Sequence, residues 1–207
     1  RMVLRYATIC SNAGFMGNPV VEGIYGSQGL LYASVYLIPL RIFMWSAGLS
    51  CFTVASPKDI VKKLVHHPCI IAVVIGMALM PFPDVVPSFL LQTMQSCSKC
   101  VLPVSMIVIG SILSEADIRK MLKGSTLFYC VVRLLGIPAV TMVVCRLLGM
   151  GALVTGVCTI LAGMPAGSTT AILAEKYDGD AKYASECVFL STVLSLFTMP
   201  LLYMILA

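Results

Sequence analysis

Long apolar runs dominate the chain, and short polar segments separate them. Seven runs read as hydrophobic helices: 6–24, 29–54, 68–82, 88–113, 125–149, 152–174 and 184–206. A bilayer core takes about 20 mainly apolar residues in a helix. The third run is short and is expected to borrow length from the amphipathic stretch Pro57–Val65 before it, which could lie along a membrane surface. The strict alternation of a membrane β-barrel is absent. The expectation is an all-α integral membrane protein with seven transmembrane helices.

Composition rules out the soluble alternative. Hydrophobic residues make up 59% of the chain and charged residues 11%, where soluble domains carry about 25% charged residues. There is too little charge to give a core of this size a polar skin, so the apolar surface is expected to face lipid.

The net charge of +5 suggests nucleic acid only until the basic residues are placed. Arg1 and Arg5 precede the first run. Lys58, Lys62 and Lys63 follow the second; Arg119, Lys120 and Lys123 follow the fourth; Lys176 and Lys182 follow the sixth. The alternate connections, near 24–28, 83–87 and 150–151, hold no Lys or Arg. This is the positive-inside pattern. It places the basic loops at 55–66, 114–124 and 175–183 in the cytoplasm and the C-terminus outside, and it leaves no role for nucleic acid. The chain opens on Arg1, almost inside a hydrophobic run, with no signal peptide before it. It is expected to be a piece of a longer protein.

Two runs differ from the rest. The first holds Asn12-Ala13-Gly14-Phe15-Met16-Gly17-Asn18-Pro19, and the sixth holds Ala162-Gly163-Met164-Pro165-Ala166-Gly167-Ser168-Thr169-Thr170. Each carries a Gly-x-Pro triplet. Proline removes a backbone donor and glycine permits unwound backbone, so each helix is expected to break, near 14–19 and 163–167. The loop charges make the two broken helices antiparallel. A half-helix start exposes amides without an intrahelical partner and carries roughly half a positive charge. The amides of Val20, Val21 and Glu22, and of Ala166, Gly167 and Ser168, are the expected ones. Two such starts meeting at the midplane would hold an anion.

These motifs also carry a resemblance. Asn-x-Gly-x-x-Gly-x-Pro in one run resembles the first crossing helix of the auxin efflux carrier family. Met164-Pro165-Ala166-Gly167 through Ala174-Glu175-Lys176-Tyr177, then Ala184-Ser185-Glu186 and the run to Pro200, resemble its second crossing helix and last helix. The resemblance covers essentially the whole chain. It implies a ten-helix fold of two inverted five-helix repeats, of the bile-acid, arsenite and riboflavin transporter-like kind. Residues 1–54 would be the last two helices of the first repeat, and 55–207 the complete second repeat. It further implies a secondary active transporter, a permease or efflux carrier, which moves small organic anions such as mono- or dicarboxylates by alternating access. H⁺ or Na⁺ would be the coupling ion. The protein would be a homodimer formed through scaffold helices, multi-pass in the cell membrane, here the cytoplasmic membrane of a bacterium.

The expected substrate-binding residues are Asn12, Gly14, Gly17, Asn18 and Pro19 in the first run, Gly163, Pro165, Gly167, Ser168 and Thr169 in the sixth, and Arg41 in the second. Buried charge in a membrane usually faces a cavity or a partner. Arg41 is therefore read either as lining the substrate route or as locking two helices. Lys99 and Arg133 lie within runs with no assigned role, Arg146 is close enough to the surface to snorkel, and Glu22 and Glu186 are placed at the interface. Cys97 and Cys100 form a C-x-x-C with no second pair and read as packing residues. His66 and His67 read as solvated. No catalytic set, phosphate loop or metal spacing is visible, so neither an enzyme, a metal nor a cofactor is expected. The rival readings are a seven-span receptor-like protein and a channel. The usual receptor topology, with its N-terminus outside, runs against the loop charges.

Overall fold

Apolar stretches that must satisfy their own backbone form helices, and helices account for nearly all of the structure. The computed structural model describes residues 2–45, 48, 51–52, 68–79, 81–82, 85–114 and 123–206. The amphipathic stretch 57–65, His66, His67 and most of the basic loops at 55–66 and 114–124 lie outside the described residues, as does the side chain of Lys99.

In chain order the helices are α1 (Met2–Ile9), α2 (Asn18–Trp45), α3 (Pro68–Leu79), α4 (Ser88–Ser114), α5 (Gly124–Val131), α6 (Ile137–Leu147), α7 (Ala152–Ala162), α8 (Thr169–Lys176) and α9 (Ala181–Leu206). A π-helical turn, Ala13–Gly17, leads into α2, and a second, Val132–Gly136, joins α5 to α6. Among the described residues there is no strand, only one isolated antiparallel bridge between Ser11 and Ala166.

Among the described residues, two helical rods are long and apolar enough to cross a membrane unaided, Gly124–Leu147 and Ala181–Leu206. Their outward faces carry large apolar side chains, including Phe128, Leu147, Phe197 and Met204. Water would penalise such a face and lipid does not. The first two apolar runs meet at Gly26, whose φ of 63° bends α2 between them. That conformation suits glycine, which has no Cβ to clash.

Both π-turns end two residues before a proline, Pro19 in one case and Pro138 in the other. Proline cannot donate to the carbonyl four residues back and its ring collides with that turn. A widened turn just ahead of the ring relieves the collision. The chain therefore passes Pro19 and Pro138 without losing the helix.

Among the described residues, three apolar clusters fix the helices. One packs α1 against α8 and α9 through Val3, Tyr6, Leu173 and Ala184. A second joins Ala7 to Tyr129, Leu134 and Val188. The third sets Val21 and Leu37 of α2 against Val157, Ile160 and Leu161 of α7. They converge on the two places where helices are interrupted.

Candidate functional site

Two helices break at the same point. α1 stops at Ile9 and the π-turn begins at Ala13; α7 stops at Ala162 and α8 begins at Thr169. The unwound strands between them run antiparallel and exchange backbone hydrogen bonds. The Asn12 amide donates to the Pro165 carbonyl at 2.8 Å, and the Gly167 amide donates to the Cys10 carbonyl at 3.0 Å. Exposed backbone inside a membrane costs several kcal/mol per unpaired group. Here each break supplies what the other lacks.

The second break falls on the expected 163–167. The first lies at 10–12 rather than 14–19, which is helical. Pro19 sits early in the new half-helix behind the π-turn and does not unwind it. Gly17 before it serves packing: a Cβ there would come within 2.6 Å of Leu161 Cδ2. The expected free amides move as well. The Ala166 amide donates to Ser191 Oγ at 3.1 Å, and that of Gly167 is spent on Cys10. The amides left without an intrahelical acceptor are those opening each half-helix, Ala13, Gly14 and Phe15 on one side and Ser168 and Thr169 on the other.

The carbonyl ends of the interrupted helices are also closed off. Tyr129 donates its hydroxyl to the Ala7 carbonyl at 2.9 Å, and Ser11 donates to the Leu161 carbonyl at 3.4 Å. Arg133 reaches both breaks. Its Nη1 donates to the Thr8 carbonyl at 2.8 Å and its Nε to the Met164 carbonyl at 3.1 Å. The side chain is only 2% exposed. Sequence reasoning placed Arg133 within a span without a role. Its partners are main-chain atoms far away in sequence, and no residue pattern announces them.

A cavity of about 560 Å³ opens beside the crossing. Asn12 and Gly14 line it from the first break, Gly167, Ser168 and Thr169 from the second, and Arg41 from α2. A Cβ on Gly14 would lie 3.7 Å from the Arg41 guanidinium, so the cation stands over the start of the first half-helix. Apolar residues such as Phe15, Leu37, Ile38 and Met77 make up much of the remaining wall. Of the other expected residues, Gly17, Asn18, Pro19, Gly163 and Pro165 are not part of this lining. Gly163 packs against Leu202, Met199 and Pro138, and Pro165 acts through its carbonyl. Ser11 and Ser34, which sequence reasoning passed over, do line the cavity.

Polar atoms wait unpaired at its edge. Both side-chain atoms of Asn12 and the Ser168 hydroxyl are buried with no hydrogen-bond partner. A buried polar group left so costs about 1–3 kcal/mol. Thr169 differs, since it accepts from Tyr6 at 3.4 Å.

The remaining charged residues divide clearly. Arg146 is exposed at the end of α6, as a snorkelling residue would be, and Glu22 is exposed too. Glu186 is enclosed by protein. It is 1% exposed and paired with Lys123 at 3.3 Å. Cys97 and Cys100 are free and exposed. Among the described residues, no cluster of side chains could hold a metal ion.

Residues 52–203 match the family described as membrane transport protein. The chain is 30% identical over 202 residues to an uncharacterised transporter of Methanothermobacter thermautotrophicus, covering 96% of this chain and 66% of that protein. It is 24% identical over 203 residues to an uncharacterised transporter of Methanocaldococcus jannaschii, covering 94% of this chain and 65% of the other. The chain thus spans slightly less than two thirds of each relative. A match over most of its length, reaching from before α3 into the last turn of α9, places the chain in the membrane transport protein family, the auxin efflux carrier family that its broken-helix motifs resemble.

Proposed function

We propose that this chain is the greater part of a secondary active transporter for small organic anions, mono- or dicarboxylates, working by alternating access. One observation carries the reading: two half-helix starts open on one cavity beside the Arg41 guanidinium. A carboxylate there would exchange its water for main-chain amides, for Asn12 and Ser168, and for Arg41. Amide dipoles share the stabilisation of the negative charge, so the anion does not rest on Arg41 alone. Binding of that kind is strong enough to desolvate an anion and weak enough to release it.

In this reading residues 1–54 end one five-helix inverted repeat and 55–207 form the second. The seven apolar runs are seven spans of a ten-helix protein. The protein is multi-pass in the cell membrane, dimeric through scaffold helices, and coupled to H⁺ or Na⁺. The test is uptake by proteoliposomes holding the full-length transporter. Radiolabelled mono- and dicarboxylates are offered under imposed proton or sodium gradients. Saturable uptake that collapses with one gradient supports the proposal. Uptake that never saturates would indicate a channel, and no uptake of any carboxylate would reject the substrate class.

A further inference from the structure

A crossing of two broken helices has an electrostatic problem. Four half-helix ends meet, two starts with roughly half a positive charge each and two ends with roughly half a negative charge each. Left alone, the four ends sum to nearly zero, and only Arg41 on the cavity wall would favour an anion there. The carbonyl ends are where Arg133 sits. Its guanidinium holds the Thr8 carbonyl, at the end of α1, and the Met164 carbonyl, just past the end of α7. The side chain is buried, and no acidic side chain among the described residues pairs with it.

We propose that Arg133 sets the charge preference of the cavity. It neutralises the negative ends of both interrupted helices, so the positive starts facing the cavity are left in excess. The inference deepens the anion reading above and rests on it. Arg133 is a positioning and selectivity residue, since it acts through the two breaks without lining the cavity. A hydrogen-bonding residue alone would meet the needs of the two carbonyls, as Tyr129 and Ser11 do for theirs. The cation adds a charge that the fold does not otherwise supply at this point.

The test reads potential directly and needs no known substrate. Thr169, half-buried on the cavity wall, is changed to cysteine in the full-length protein after the other accessible cysteines are removed. The thiol is reacted with methanethiosulfonate reagents of similar size, one bearing a sulfonate and one a trimethylammonium group. The ratio of the two rates cancels access and thiolate fraction and reports the local potential. With Arg133 present, the anionic reagent reacts faster. Arg133→Gln keeps a donor and removes the charge, and the ratio falls roughly tenfold or more. Arg133→Lys holds the ratio near the parent's wherever its amine is protonated, and the ratio falls toward that of Arg133→Gln once rising pH removes the proton.

An unchanged ratio in Arg133→Gln would overturn the proposal. Should that variant fail to fold, Arg133→Met, which also removes the charge, is read in its place, and an unchanged ratio there would overturn the proposal too. No anion preference with Arg133 intact would sink the anion reading itself, which is a distinct result.

Discussion

Replacing Asn12 with leucine separates a binding residue from a packing residue. Asn12 is 2% exposed, and neither its Oδ1 nor its Nδ2 has a partner. Leucine has nearly the same shape and no polar atoms. If the cavity is a binding site, these atoms are unpaired until a ligand arrives, and the empty protein bears their cost. Removing one such group relieves about 1–3 kcal/mol. A kcal/mol corresponds to roughly 2–4 °C in melting temperature for a chain of this size. Asn12→Leu should therefore raise the apparent melting temperature of the detergent-solubilised, ligand-free protein by a few degrees. The same change removes hydrogen bonds to a charged ligand, worth about 1.5–3 kcal/mol each. The half-saturation constant for uptake should rise about tenfold to a hundredfold. The backbone amide of Asn12, which bonds to Pro165, is untouched by the substitution. The signature is opposite movement, with stability up and affinity down. A protein that melts lower and transports with unchanged affinity would refute the reasoning, because Asn12 would then be a structural residue with partners of its own.

Asn18→Ala should leave the half-saturation constant within about twofold in the same uptake assay, since Asn18 is outside the cavity lining and twofold is under 1 kcal/mol. Tyr129→Phe removes the hydroxyl that closes the Ala7 carbonyl; it should cost about 1–3 kcal/mol for the group left unpaired, seen as a lower melting temperature. Lys182→Cys, on the exposed start of α9, should react with an impermeant maleimide only after the membrane is opened. Labelling of sealed, right-side-out vesicles would reverse the topology inferred from the loop charges.

The helical fold was legible because apolar run length and loop charge are one-dimensional signals. The crossing was legible in kind but not in place. Gly163 and Pro165 mark their break correctly, since nothing near them rescues the helix. Gly17 and Pro19 mark theirs one turn too late. Sequence shows that proline forbids a regular turn, but not that a π-turn ahead of it absorbs the clash. The position of Glu186 near a span end suggested an interface, and no signal in the sequence showed that the packing of α9 against α5 buries it beside Lys123.

Arg133 shows the deeper limit. Intramembrane cations invite a search for a carboxylate or a substrate, and Arg41, which lines the cavity, answers to that search. Arg133 answers to neither. Its acceptors are carbonyls present at every residue, and they become distinctive only because two helices end there. A charge that serves backbone dipoles leaves no complementary residue in the sequence to pair it with. It becomes visible once the breaks are brought together and every terminal carbonyl is asked where its hydrogen bond goes. In crossings of this kind, the cation behind the site follows from the same requirement as the amides in front of it. The ends of interrupted helices must be balanced on one side before the other can select charge.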